Sequence, residues 1–149
     1  LCPQGMSLDA LHQAIYGERK VSQGTLKTEM SQLRDTLTGL LGSRPYRLLM
    51  PIDGDFLRVE QSLNAGYLEA AIKLYTGIFF SKTESPFLCT WRTCLEARLS
   101  QAIYQSDQVD LLLMHLSNCP DASDAIERLI ELMPDNLSIH QHLEVLSNR

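Results

Sequence analysis

A chain of 149 residues, 44% of them hydrophobic, can bury a real core in one or two small domains without disulfides or metals. Its formal net charge of −5 argues against nucleic acid as a partner for the chain taken as a whole, and no apolar run approaches the roughly 18–20 residues that a membrane helix needs. The average hides an asymmetry. Residues 1–50 carry six cations (Arg19, Lys20, Lys27, Arg34, Arg44, Arg47) against four anions (Asp9, Glu18, Glu29, Asp35), whereas residues 51–149 carry seven against fourteen. Opposite signs on the two halves predict two parts with different partners.

The cysteines Cys2, Cys89, Cys94 and Cys119 form no CxxC pair and no dense framework, which suits free thiols in a reducing cytoplasm. The N-terminus lacks a basic region followed by an apolar one. The expected location is therefore cytoplasmic. The chain begins with Leu1, so it is expected to be a piece of a longer one.

In chain order, Ser7 can cap a helix over about 8–16 whose apolar positions are Leu8, Leu11 and Ile15, with Gly17 as its left-handed stop. After GERK, Ser22 is the next cap, and Val21 can staple onto Leu26. Leu26, Met30, Leu33 and Leu37 then form one apolar stripe along a helix over 22–38. Gly24, Thr28, Ser31 and Asp35 lie opposite, with Lys27 and Arg34 on one flank and Thr25 and Gln32 on the other. Gly39 ends that helix. LLGSRPYRLLM reads as a short β-hairpin over 40–49, and the change of composition at Pro51 and IDGD places a domain boundary near residue 52.

Beyond it, helical spacing recurs: Leu68, Ala71, Ile72, Tyr75; Trp91, Cys94, Leu95, Arg98 in a helix of about 86–105; Val109, Leu112, Leu113, Leu116; Ile126, Leu129, Ile130, Met133; and finally Ile139, Leu143, Leu146. Short turns at 64–66, 105–107, 118–121 and 133–136 predict antiparallel neighbours. NAGYLEAAIKLY and DASDAIERLIELMPDN look like second helices of tetratricopeptide-type hairpins. Their alanines stand about 55 residues apart, which suits an irregular α-hairpin stack better than a regular array. The fold class is mainly α: a truncated winged helix-turn-helix over 1–51, then an all-α helical-hairpin domain over 52–149.

Two helices joined by a short turn and followed by an arginine-tipped hairpin is the arrangement of a winged helix-turn-helix, in which the second helix enters the major groove and the hairpin touches the backbone. VSQGTLKTEMSQLRDTLTGLLGSRPYRL resembles the recognition helix and wing of OmpR/PhoB-type winged-helix domains, through S-x-x-T-L-x-x-x-x-x-x-L-R-x-x-L leading into P-Y-R-L. LHQAIYGERKVSQGTLKTEMSQLRDTLTGLLGSRPYRL with DFLRVEQSLNAGYLEAAIKLYTG is similar to the C-terminal region of bacterial transcriptional regulators with GAF-type sensor domains upstream. The helical tail resembles the bacterial transcriptional activator domain. The resemblance implies groove contacts at Lys27, Thr28, Ser31 and Gln32, phosphate contacts near Thr25 and Arg34, and wing contacts at Arg44 and Arg47. Two departures from the family follow: its first helix would precede Leu1, and Glu29 and Asp35, on or near the recognition helix, weaken the pull on phosphate relative to more basic members.

Each residue also has a plainer reading. The helix over 22–38 could be an ordinary amphipathic helix with a solvated face, and Arg34 could pair with a carboxylate rather than a phosphate. Tyr46 and Leu48 read as core, Cys94 as a small buried hydrophobe, and Trp91, Phe87 and Tyr104 as core first and partner groove second. His115 and Cys119 at i, i+4, or His140 and His142, offer too few ligands at familiar spacings for zinc. No GxSxG, phosphate loop or HExxH occurs, so neither enzyme activity nor a cofactor is expected. NLS at 136–138 fits a glycosylation acceptor that a cytoplasmic chain would not use.

The leading expectation is thus the output region of a bacterial transcription regulator. It would bind double-stranded DNA, with the acidic helical part contacting another protomer as a homodimer, an upstream sensor domain or the transcription machinery, and with no membrane partner. The alternative is a non-enzymatic protein-interaction module carrying a degenerate winged helix.

Overall fold

The computed structural model describes residues 3–135. Along them run α1 (Leu8–Tyr16), α2 (Gln23–Thr36), β1 (Leu41–Ser43), β2 (Tyr46–Leu48), α3 (Asp55–Asn64), α4 (Leu68–Leu74), α5 (Pro86–Ser106), α6 (Val109–Asn118) and α7 (Ser123–Leu132). The architecture is mainly α with one small antiparallel hairpin. The chain divides into two compact units, Leu1–Ile52 with Phe80–Arg92, and Asp53–Phe79 with Thr93–Arg149, so the division falls inside α5. The expected closing pattern Ile139, Leu143, Leu146, together with NLS 136–138, His140 and His142, lies outside the described residues.

In unit 1 both expected caps form. The Ser7 hydroxyl accepts from the Ala10 amide at 3.1 Å and the Ser22 hydroxyl from the Thr25 amide at 3.1 Å, satisfying amides that the first turn of each helix leaves without carbonyl partners. Gly17 closes α1 at φ +59, where a Cβ would also stand 2.8 Å from Pro86 Cγ. Leu26, Met30 and Leu41 form the buried centre, with Leu8, Leu11, Ile15, Tyr16, Leu37 and Tyr46 packed on it. Burying one such leucine contributes roughly 1.5–3 kcal/mol. Leu33, expected in the stripe, is 42% exposed instead. The half-buried neighbour is Arg34, whose Nε donates to the Leu41 carbonyl at 3.2 Å.

The hairpin pairs Leu41 with Leu48, Gly42 with Arg47 and Ser43 with Tyr46, turning at the cis-bonded Arg44–Pro45. Gly42 and Ser43 are therefore strand residues, which leaves Arg44 and Pro45 as the turn. Met6 adds a bridge to Tyr46 through reciprocal amide–carbonyl bonds of 3.0 and 2.8 Å, tying the chain before α1 to the hairpin. Leu48, expected in the core, is exposed.

Phe80–Arg92 joins this unit through polar contacts that no hydrophobic pattern announces. Arg19 closes the end of α1, donating from Nε to the Tyr16 carbonyl (3.1 Å), from Nη2 to the Ile15 carbonyl (2.8 Å) and from Nη1 to Glu84 (2.5 Å). The Ser85 hydroxyl donates to the Ala14 carbonyl at 2.7 Å and accepts from the Leu88 amide at 3.3 Å, so one side chain caps α5 and grips α1.

Unit 2 packs α3 on α4, α4 on α6 and α6 on α7. Its buried apolar residues include Val59, Ala71, Ile72, Leu95, Leu99, Ile103, Leu112, Leu116, Ala125 and Leu129. Several expected positions are displaced. On α5 the buried spacing is Leu95, Leu99, Ile103, leaving Cys94, Phe87 and Tyr104 exposed; four residues advance about 400°, about 40° more than a full turn, so an i, i+4, i+8 stripe drifts away from Cys94. On α6 the buried set is Leu111, Leu112, His115 and Leu116, and Leu113 is exposed. α3 was announced by no stripe in the sequence reading, yet Val59 is fully buried.

Candidate nucleic-acid interface

Helix α2 presents Thr25, Lys27, Thr28, Ser31 and Gln32 to solvent, and the hairpin presents Arg44 and Arg47. Lys27 and Ser31 stand about 40° apart around the helix, and Thr28 about 100° from Lys27, so they share one side. Buried Leu26 and Met30 hold the opposite side against the core and thereby aim this one outward.

Lys27 and Arg44, seventeen positions apart, line one open cleft of about 500 Å³ together with Met6, Ser7, Ser43 and Tyr46. The cleft exists because the Met6–Tyr46 bridge holds the start of α1 beside the turn of the hairpin. Ser7, Ser43 and Met6 were not among the expected site residues; Ser7 had a signal only as a helix cap, and Met6 had none. Thr25, Thr28, Ser31, Gln32, Arg34 and Arg47 stand outside the cleft wall.

Hydrogen bonding divides the expected residues further. The Thr28 hydroxyl donates to the Gly24 carbonyl at 3.1 Å, and the Thr25 hydroxyl lies 3.0 Å from Ser22 Oγ within the cap. Arg34 links α2 to β1 through Leu41, which is a structural role. Glu29 accepts the Tyr16 hydroxyl at 2.5 Å; that bond, then burial, raises the Tyr16 pKa above its ordinary value.

Arg19, Arg58, Lys73 and Arg128 each pair with a carboxylate within 4.0 Å. Among the described residues Lys27, Arg44 and Arg47 form no ion pair. Lys20 and Lys82 in unit 1 and Arg98 in unit 2, which donates to the Asn64 side-chain oxygen, also lack a carboxylate partner, so it is the place of the unpaired cations and not the lack of pairing alone that marks this face. Counted by unit, the first carries eight cations and five anions and the second five and thirteen, a sharper contrast than the division at residue 50 showed. No group of three or more metal-ligating side chains occurs among the described residues, and no helix among them is long and apolar enough to cross a membrane.

No family model matches the chain. Among curated proteins it is similar to the "Uncharacterized 47.3 kDa protein in thcA 5'region" of Rhodococcus erythropolis, 29% identical over 125 residues that cover 83% of this chain and 28% of that protein. The chain thus spans little more than a quarter of the length of this relative. No solved structure matches.

Proposed function

We propose that unit 1 is a duplex-DNA-binding element of the winged helix-turn-helix kind, serving as the output region of a transcription regulator. The observation that carries this reading is the set of exposed, unpaired cations Lys27, Arg44 and Arg47, of which Lys27 and Arg44 line one cleft. A cation without a carboxylate partner keeps its full attraction for phosphate, and a cleft bounded by a helix and a hairpin tip suits a backbone strand running between them. Ser31 beside Lys27, and Gln32 on the opposite flank of the exposed face, are the side chains that reach base edges in the groove. Unit 2, acidic overall, repels phosphate and serves protein contacts: a second copy, an upstream sensor or the transcription machinery.

The test is fluorescence anisotropy of the chain with a labelled mixed-sequence duplex across a salt series. Affinity should fall by about 0.9 log units per log unit of salt for each phosphate contact, and Lys27→Ala with Arg44→Ala should reduce that slope by about 1 each. Binding insensitive to salt, or unchanged in the double variant, would overturn the reading.

A second reading, a protein-interaction module, is favoured by one observation. Leu40, Leu48, Leu49, Met50 and Ile52 are all exposed on and just after the hairpin, an apolar strip that a partner protein could cover. In that case DNA binding is absent at low salt.

A further inference from the structure

Within unit 2 a cavity of about 420 Å³ opens beside the C-terminal end of α6, a volume suited to a small molecule. Its apolar lining includes buried Leu99 and exposed Ile78. Its polar lining is Tyr75, Glu96, Ser100, His115, Asn118, Cys119 and Asp121.

Three properties narrow what could bind. First, the lining contains two carboxylates, Glu96 and Asp121, and no lysine or arginine. Glu96 is held in place by the Tyr75 hydroxyl, which donates to Oε1 at 3.0 Å, and Asn118 fixes the neighbouring backbone by donating to the Ile72 and Tyr75 carbonyls at 2.9 and 3.2 Å. Second, the groups beside these carboxylates are uncharged at neutral pH: burial holds the His115 pKa below its ordinary value against the opposing pull of Asp124, and burial, then Glu96, pushes the Cys119 thiol up. Third, His115 is only 5% exposed, and its Nδ1 has no hydrogen-bond partner among the described residues. A buried polar atom left in that state costs roughly 1–3 kcal/mol, so a wall of this cavity holds a hydrogen-bonding capacity that the chain itself leaves unmet.

We infer that this cavity is a binding site for a small organic ammonium, its cationic head between Glu96 and Asp121 and its apolar body over Leu99 and Ile78. The Tyr75 ring, packed edge-on to Phe79 with centroids 5.3 Å apart, also lines the cavity. The surplus of carboxylates in unit 2 steers a cation toward the cavity and an anion away. The site is independent of the DNA reading of unit 1.

The probes are 2-phenylethylammonium, its uncharged counterpart 2-phenylethanol and the anion phenylacetate, each titrated into the isotopically labelled chain and followed by amide chemical shifts. The ammonium should give saturable shifts centred on residues 96, 115, 118 and 119, the alcohol should bind at least about tenfold more weakly, and phenylacetate should give none. Glu96→Gln should remove the preference for the ammonium over the alcohol. Asp121→Asn, at an exposed position, should weaken ammonium binding severalfold and serves if Glu96→Gln fails to fold. No saturable shift in the millimolar range, equal binding of all three probes, or shifts centred elsewhere would overturn the inference.

Discussion

The two units differ in how far their cations are paired: in unit 2 all the described ones but Arg98 meet a carboxylate, and in unit 1 most do not. In unit 2 Arg58 meets Asp53, Lys73 meets Glu69, and Arg128 meets both Asp107 and Glu131 while lying 5.2 Å from the Tyr104 ring centroid. The pairs leave visible signatures, since the guanidinium of Arg58 holds the Asp53 carboxyl below its ordinary range and Lys73 does the same for Glu69. In unit 1 Arg19 is paired with Glu84, whereas Lys27, Arg44 and Arg47 are turned outward without a carboxylate. A cation paired within the chain contributes a little to stability; an unpaired cation held on a rigid helix or hairpin contributes nothing there and is available to an anionic partner. Function is to be sought where the charge is left over.

The largest effects should come from the cores, and they separate the units. Leu26→Ala and Leu112→Ala remove the same atoms from fully buried sites, and each should cost about 2–5 kcal/mol by urea unfolding. Only Leu26→Ala should also lower DNA affinity, because Leu26 backs the face that carries Lys27. Equal loss of DNA affinity in both variants would blur the comparison into one cooperative body.

The next effect concerns pH and belongs to unit 2. The folded chain holds the His115 pKa below its ordinary value of 6.5, so the unfolded chain binds more protons as the pH falls through that value. Stability should therefore be full above about pH 7 and decline on acidification through pH 6.5 and below. His115→Leu should flatten that decline in melting temperature between pH 7.5 and 5.5, while Leu26→Ala should lower the whole curve without flattening it.

The smallest effects lie at the grip on Phe80–Arg92. Ser85→Ala should cost about 1 kcal/mol, since it removes an α5 cap and the bond to the Ala14 carbonyl together. Glu84→Gln, at a pair whose acid is largely exposed, should cost well under about 1 kcal/mol and less still in high salt. A larger loss for Glu84→Gln than for Ser85→Ala would reverse the ranking of cap and surface pair.

Local signals were the legible ones. Ser7, Ser22 and Gly17 acted as the caps and stop that their side chains predict, because capping depends on neighbours within a few residues. Helical stripes were legible as helices, but their phase was not. Arg34 takes the half-buried place beside exposed Leu33 because its guanidinium finds the Leu41 carbonyl across the turn, and His115 takes a core place that Leu113 was expected to share. Both outcomes depend on partners distant in sequence. The attachment of Phe80–Arg92 to unit 1 rests on Arg19 and Ser85, long-range polar contacts to which periodicity is blind. For the candidate interface, the outward side chains could be read from spacing alone, whereas the meeting of Lys27 with Arg44 required the Met6 bridge that aligns the hairpin with α1.

The central claim, that the unpaired cations of unit 1 face duplex DNA, is tested most directly by amide shift mapping during titration with a short duplex. The account predicts perturbations concentrated at residues 25–32 and 43–47, extending to Met6 and Ser7, with unit 2 unmoved. Perturbations centred in unit 2, or none at low salt while the spectrum remains that of a folded chain, would contradict it.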